Sequence, residues 1–155
     1  VFAAGDVAEG LDFSTGEYSI QAIQPTAVDH ASLAAKNMVN LGAVEHQGSV
    51  NMNVLDTLGL VSSSFGSWEG IKDGEETTLI NRENFKYLNL QFKEDILIGA
   101  TSLGLTEHVG ILRGLIQSEI RLGAWKERLI KDPTRLMEAY LSSTQALGFN
   151  SKVFS

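Results

Sequence analysis

The side chains that most often carry chemistry are sparse in this sequence. There is no cysteine, which excludes thiolate metal sites, cysteine nucleophiles and disulfides within these 155 residues. The three histidines, His30, His46 and His108, are far apart along the chain, and none has a second ligand-type residue three or four positions away. Each follows an acidic residue, which an acidic chain produces by chance. We therefore predict neither a metal site nor a catalytic histidine.

Self-contained catalytic motifs are also missing from the sequence. It has no G-x-G-x-x-G loop, no Walker loop, no G-x-S-x-G elbow and no H-E-x-x-H pair. The carboxylate pairs Glu75–Glu76 and Glu94–Asp95 fall in predicted loops, where solvation explains them better than general acid–base chemistry. We predict no catalytic residue in this chain.

Composition and charge narrow the class of protein. Hydrophobic residues make up 43% and charged residues 20% of the chain, as in ordinary globular proteins. The net charge of −7 argues against nucleic-acid binding, which needs a clustered basic face. No apolar run approaches the roughly 20 residues that span a bilayer. We expect a cytoplasmic protein with neither a nucleic-acid nor a membrane partner.

The chain opens on an apolar run, Val1–Ala4, that ends at the pair Gly5-Asp6. This pattern predicts the last residues of a buried strand that breaks into a loop. A buried strand needs neighbours on both sides, so we expect its partners to lie upstream of this chain. An edge strand of a self-sufficient domain is the alternative, and the run alone does not decide between them.

A loop and a helix are expected to follow. Residues 7–24 are rich in turn-forming residues and predict little regular structure. Pro25 suits the first turn of a helix because its φ is fixed and its missing N–H is not needed there. Alanines at helical spacing predict a helix over residues 26–41, and Gly42 is expected to end it as a left-handed cap.

The rest of the chain predicts strands followed by helices. Strands are expected in the segments 50–55, 58–62, 77–80, 85–92 and 96–100. Residues 63–70 read as a turn, while Leu88, Leu90 and Phe92 should share one face of a hairpin strand. Three helices should follow: one with Thr106 as its N-cap and Ile120 on its apolar face, one over residues 125–130, and one from Asp132-Pro133 to Gly148 that packs through residues including Leu147. This order favours an α+β fold, with an antiparallel sheet covered on one side by helices.

The segment Phe2–Glu9 resembles the second FAD-binding motif of the pyridine nucleotide–disulfide oxidoreductase superfamily. The resemblance implies that Gly5 lets the backbone approach FAD closely and that the Asp6 carboxylate accepts a hydrogen bond from a ribityl hydroxyl. The segment from Gln24 through Pro25 and Thr26 to Met38 is similar to the helix that follows this motif in the family.

That similarity implies a helix N-terminus directed at the pyrimidine end of the isoalloxazine. Backbone groups of Thr26 and Ala27 would face the flavin, with Gln24 as a side-chain contact and Pro25 starting the helix. A helix N-terminus stabilises negative charge at flavin N1 and O2 because its N–H groups and dipole are directed there. A plain core-packing helix is compatible with the same sequence.

Three later segments resemble the C-terminal domain of one branch of that superfamily. They are 85–100, 110–116 and 125–129, and the branch holds nitrite reductase flavin subunits, rubredoxin reductases and NADH oxidases. The resemblance implies two domains: residues 1–45 as the end of an FAD-binding domain and residues 46–155 as an interface domain. It also implies upstream FAD and NAD(P)H domains of the same polypeptide as partners, and a homodimer.

The family's Gly-rich FAD loop, its NAD(P)H domain and any active-site cysteine are not in this sequence. Without the pyrophosphate site most of the binding energy for FAD is missing, so we expect these 155 residues alone to bind FAD weakly or not at all. The expected function is the C-terminal part of an FAD-dependent NAD(P)H oxidoreductase. The alternative is a stand-alone α+β interaction or assembly module without redox activity.

Overall fold

The computed structural model describes the backbone of residues 1–151 and the side chains of residues 1–144. Within them the chain forms two compact units, Val1–Asn53 and a second unit that begins at Val54. Helices and antiparallel strands are both present, which confirms the expected α+β class. No helix of the described part is long and apolar enough to cross a membrane.

The first unit begins without a strand. Residues 1–4 are irregular, and Gly5–Val7 forms a single 3-10 turn, so the strand predicted at Val1–Ala4 is wrong. Val1 is fully exposed and Phe2 is 39% exposed. A strand exists only when its backbone groups pair with a neighbour, and no described strand pairs with this run.

A hairpin occupies most of the segment 7–24. Strand β1, Glu9–Asp12, pairs antiparallel with β2, Glu17–Ile20. The buried carboxylate of Asp12 shapes the turn between them, accepting bonds from the backbone N–H of Ser14 at 3.0 Å and from its hydroxyl at 2.6 Å. Aspartate in this role closes a turn on its own backbone. The prediction of little regular structure over residues 7–24 is therefore wrong.

Helix α1, Gln24–Val39, follows the hairpin and confirms the predicted helix, with Pro25 in its first turn. The helix ends at Asn40, whose N–H donates to the Lys36 carbonyl at 3.0 Å. Gly42 does have a left-handed φ of 79°, but it lies two residues beyond this end. It belongs to the turn after the helix and is not its cap.

The second sheet has five strands in the order β3-β4-β7-β6-β5. Their bounds are β3 Met52–Thr57, β4 Leu60–Gly66, β5 Glu75–Asn81, β6 Lys86–Lys93 and β7 Ile96–Leu103. The pairs β4–β7, β5–β6 and β6–β7 are antiparallel. The turn predicted over residues 63–70 begins only after Gly66, because Ser63 to Gly66 pair with β7.

The core of this unit lies on one face of the sheet. Leu88, Leu90 and Phe92 are completely buried, as their alternation predicts. Helices α2 (Val109–Ser118), α3 (Ala124–Lys131) and α4 (Leu136–Ser151) supply further buried apolar residues, and α2 packs on β4 and β7. The apolar residues buried from these helices are Leu112, Leu115, Ile116, Leu129, Leu136 and Ala139.

The ends of these helices differ from the sequence predictions. Thr106 lies in a 3-10 turn, and the N-cap of α2 is His108, which makes no side-chain capping bond. Ile120 lies beyond α2, which ends at Glu119 in a left-handed conformation. Helix α4 continues past Gly148, because one glycine costs a helix only about 1 kcal/mol and does not by itself end it. The predicted packing of Leu147 concerns a side chain outside the described residues.

Candidate functional site

The N-terminus of α1 is built from a bend and a proline. Ile23 has extended dihedrals, and the first helical bond runs from the N–H of Ala27 to the Ile23 carbonyl at 3.0 Å. Since Pro25 has no N–H, only Gln24 and Thr26 present N–H groups ahead of that bond. Gln24 is exposed, whereas Thr26 is 4% exposed. The result is a helix end with two N–H groups and a positive dipole end.

The 3-10 turn at Gly5–Val7 lies beside this helix end. Gly5 has a φ of 78°, and a Cβ placed on it would lie 3.4 Å from the Cβ of Ala27. The turn closes with a bond from the N–H of Ala8 to the Gly5 carbonyl at 2.9 Å. Glycine suits the position because its φ is one that side chains disfavour. Asp6, the next residue, is exposed, so its carboxylate is open to a ligand.

The structure brings together two of the predicted cofactor contacts directly, Gly5 and Ala27. Pro25 and Thr26 are held in place by the same helix turn. A glycine with a positive φ, an exposed carboxylate and a helix N-terminus thus lie within one unit. Their assignment as FAD contacts remains a prediction.

A second cluster in this unit was missed from the sequence. His30 on α1 and His46 in the following loop meet edge to face, with their ring centroids 4.7 Å apart. The Ser49 hydroxyl lies between them, 2.9 Å from Nε2 of His46 and 3.4 Å from Nε2 of His30. The two histidines are far apart along the chain, and their meeting in space was not predicted. Gly10 leaves the room they need, since a Cβ there would lie 2.7 Å from the His30 ring.

The charge of this cluster is restricted by its neighbours. Burial lowers the pKa of His46, and the nearby His30 lowers it further, while Asp29 acts in the opposite direction. The Ser49 hydroxyl can donate its proton to only one of the two Nε2 atoms, and the other Nε2 can donate to the hydroxyl oxygen, so the direction of each bond depends on the tautomers. In the part of the chain that the structure describes, no three histidine, cysteine or acidic side chains lie close enough to hold a metal ion.

Both histidines line an open cavity of about 180 Å³ in the first unit. The other residues that line it are Phe2, Ala3, Ala8, Glu9, Gly10, Leu33, Ala34 and Asn37. Asn37 fixes the far wall, because its side-chain amide donates to the Val44 carbonyl at 2.9 Å and its oxygen accepts from the Val44 N–H at 3.4 Å. The loop after α1 is thereby tied back to the helix.

Comparison with known proteins gives matches among solved structures alone. No family model matches the sequence, and no curated protein matches it. Among the solved structures, an NAD-dependent persulfide reductase from A. fulgidus is 17% identical, with a TM-score of 0.64 over 79% of this chain and 26% of its own.

Two further structures match almost the whole chain. Putidaredoxin reductase, solved in a covalent complex with putidaredoxin, is 14% identical, with a TM-score of 0.73 over 92% of this chain and 33% of its own. An FAD-dependent pyridine nucleotide-disulphide oxidoreductase from Desulfovibrio vulgaris is 14% identical, with a TM-score of 0.65 over 94% and 38% respectively. This chain therefore spans about a quarter to two fifths of the length of these structures. Its fold is one that FAD-dependent pyridine nucleotide–disulfide oxidoreductases contain, which confirms at the level of the fold the resemblance found in the sequence.

Proposed function

We propose that this chain forms the C-terminal part of an FAD-dependent NAD(P)H oxidoreductase of the cytoplasm. Residues 1–45 would complete the FAD-binding domain, and residues 46–155 would be its interface domain, of which residues 152–155 lie outside the described part. The observation that carries the proposal is the Gly5 turn packed against the first turn of α1, because it combines a close-approach glycine, the exposed Asp6 and a helix N-terminus.

The exposed outer face of α1 supports the proposal that this helix packs against a further domain. Val28, Ala31, Ala35 and Met38 follow helical spacing and are exposed, with Val28 at 59% and Met38 at 64%. His30 and Asn37 lie on the opposite, partly buried face. An apolar stripe of small residues on the outer side of a helix is the surface that packs on a sheet or another helix. An upstream FAD domain would supply that sheet.

The chemistry that bound FAD supplies is acceptance of a hydride from NAD(P)H and passage of the electrons to an acceptor. This chain's own part would be to hold the cofactor. The Asp6 carboxylate would accept a hydrogen bond from a ribityl hydroxyl of FAD. The N–H groups of Gln24 and Thr26 would stabilise negative charge on the pyrimidine edge of the flavin.

The direct test is the polypeptide encoded by the complete open reading frame that contains these 155 residues. We expect it to carry two G-x-G-x-x-G motifs upstream, to purify yellow and to have its flavin bleached by NADH or NADPH. A colourless complete protein contradicts the proposal and favours the stand-alone assembly module. The 155 residues alone should take up no stoichiometric FAD when flavin fluorescence is titrated, because they hold no pyrophosphate loop.

Substitution of Asp6 tests the site itself. In the complete protein, Asp6→Ala should weaken FAD binding by about 1.5–3 kcal/mol, roughly tenfold or more, through loss of one charge-assisted hydrogen bond. Glu69→Ala removes an exposed carboxylate of the second unit and is the matched control, which should retain FAD. Equal flavin content in the two variants would assign Asp6 no part in the site. Sedimentation of the same protein checks the homodimer that the resemblance implies.

A further inference from the structure

One exposed aromatic residue of the second unit has an unfavourable backbone conformation. Phe85, in the turn between β5 and β6, has a φ of 49°, and its side chain is 68% exposed. An aromatic residue rarely adopts left-handed dihedrals. Turn positions with these dihedrals are usually occupied by glycine or asparagine. Because the Phe85 ring is mostly in solvent, it buries little apolar surface and stabilises the fold little. The stability of the fold therefore does not explain why phenylalanine occupies this strained position.

The ring lines an open apolar cavity of about 410 Å³. Ile80, Tyr87 and Leu103 supply the rest of its apolar wall, and Ile80 is 59% exposed. The cavity lies beside the turn between β5 and β6, and β5 is an edge strand of the sheet. Exposed apolar side chains gathered around one cavity mark an interaction site more often than single exposed residues do.

The charge around the cavity is opposite to that of the whole chain. Arg82 and Lys86 both line it, in a chain whose net charge is −7. Within the described residues, the salt bridges involve Arg121, Lys126 and Arg135, and neither cavity cation is among them. Glu83 belongs to the same turn but does not line the cavity. Two cations beside an apolar wall complement an acidic ligand that carries an apolar group.

We propose that this cavity docks an acidic segment of a partner protein. An apolar side chain of the segment enters between Phe85, Ile80 and Leu103, while carboxylates on either side of it pair with Arg82 and Lys86. The site lies wholly in the second unit and does not involve FAD, so it can fail or hold independently of the oxidoreductase function.

The test uses two short peptides that share a central Phe-Leu pair, one flanked by aspartates and one flanked by lysines. Each is titrated into the isotope-labelled 155-residue chain, and backbone amide shifts are recorded at low and at high salt. The acidic peptide should shift the signals of residues 80–87 and of Leu103, less so at high salt. No shifts there, or equal shifts with both peptides, overturns the proposal. Shifts of the same signals that depend on protein concentration without peptide assign the cavity to a second copy and also overturn it.

A pair of variants separates docking from folding. Phe85→Gly should weaken binding of the acidic peptide by about tenfold or more, as for a hot-spot aromatic. It should leave the unfolding midpoint unchanged or raised, because glycine accepts the left-handed φ. Leu58→Gly is the matched control, since Leu58 is fully exposed and also left-handed, with a φ of 55°, but lies in the turn between β3 and β4. It should bind the peptide normally. A lower midpoint for Phe85→Gly, or an equal loss of binding in both variants, overturns the proposal.

Discussion

The surroundings of His46 lower its pKa and so disfavour its protonation in the folded chain. Its Nε2 shares the Ser49 hydroxyl with His30, and the two rings are in direct edge-to-face contact. A proton on both rings would place two positive charges side by side in a partly buried position. The contact therefore links the loop after α1 to the helix most firmly when His46 is neutral.

Stability should for this reason fall in mild acid. The pKa of His46 is lowered by burial and by His30, so the unfolded chain, with a pKa of about 6.5, binds the proton more readily than the folded chain does. The free energy of unfolding then decreases as the pH falls from about 6.5 toward the lowered pKa, and levels off below it. Urea unfolding of the chain at a series of pH values measures the slope.

Two histidine variants test whether His46 causes this pH dependence of the free energy of unfolding. His46→Gln keeps an amide that can reach Ser49 but does not titrate, so its stability should change less over this pH range. His108→Gln leaves the cluster intact and should keep the wild-type slope. If both variants behave like the wild type, the pH dependence arises elsewhere.

The contact between His30 and His46 could not be predicted from the spacing of residues in the sequence. His30 and His46 are sixteen positions apart along the chain, and neither has a partner at helical spacing. They meet because Asn37 ties Val44 back to α1 and because Gly10 leaves space against the His30 ring. Contacts of this kind depend on a loop path, which composition and periodicity do not determine. The Gly5-Asp6 pair could be found because its residues are adjacent.

At the scale of the elements, the loop that follows β4 approaches β7 so closely that position 99 requires glycine. A Cβ placed on Gly99 would lie 2.3 Å from the backbone carbonyl of Ser67 and 2.7 Å from the N of Trp68. Backbone atoms cannot give way as a flexible side chain can. Any side chain here must therefore displace either the strand or the loop that follows β4.

Gly99→Ala should destabilise the chain by about 1–3 kcal/mol or more, as expected for overpacking against a fixed backbone. Gly110→Ala is the matched control, because Gly110 lies in α2 and a Cβ placed on it would have nothing within 4 Å. It should be neutral or stabilising by up to about 1 kcal/mol, since alanine favours the helix. Urea unfolding compares them. Equal stabilities would show that the loop at Ser67 yields without cost.

Strands with a clear alternation of apolar and polar residues could be predicted from the sequence, whereas strands without it could not. The alternation of Leu88, Leu90 and Phe92 indicated β6, and the polar residues Glu94 and Asp95 indicated the turn to β7. The β1–β2 hairpin was missed because its strands are four residues long and its turn depends on the buried Asp12. Short strands carry too few residues for alternation to be visible.

At the scale of the whole molecule, the outer face of α1 exposes apolar side chains that nothing in the described part of the chain covers. Val28 and Met38 are more than half exposed on it, and Val39 and Leu41 continue the apolar surface at 90% and 84% exposure. The opposite face carries His30 and faces the cavity. If the oxidoreductase proposal holds, that outer face is buried against the upstream domain in the complete protein.

A double variant tests this expectation in two settings. In the 155-residue chain, Val28→Gln with Met38→Gln should reduce self-association, measured as a smaller rise of sedimentation-averaged mass with concentration, because less apolar surface is exposed. In the complete polypeptide the same pair should lower stability and flavin retention, since burying two unpaired amides costs free energy. Lys36→Gln, at an exposed position of α1 outside that face, should change neither property. An effect in the isolated chain without one in the complete polypeptide would show that the outer face of α1 stays in solvent, and the packing on an FAD domain would have to be abandoned.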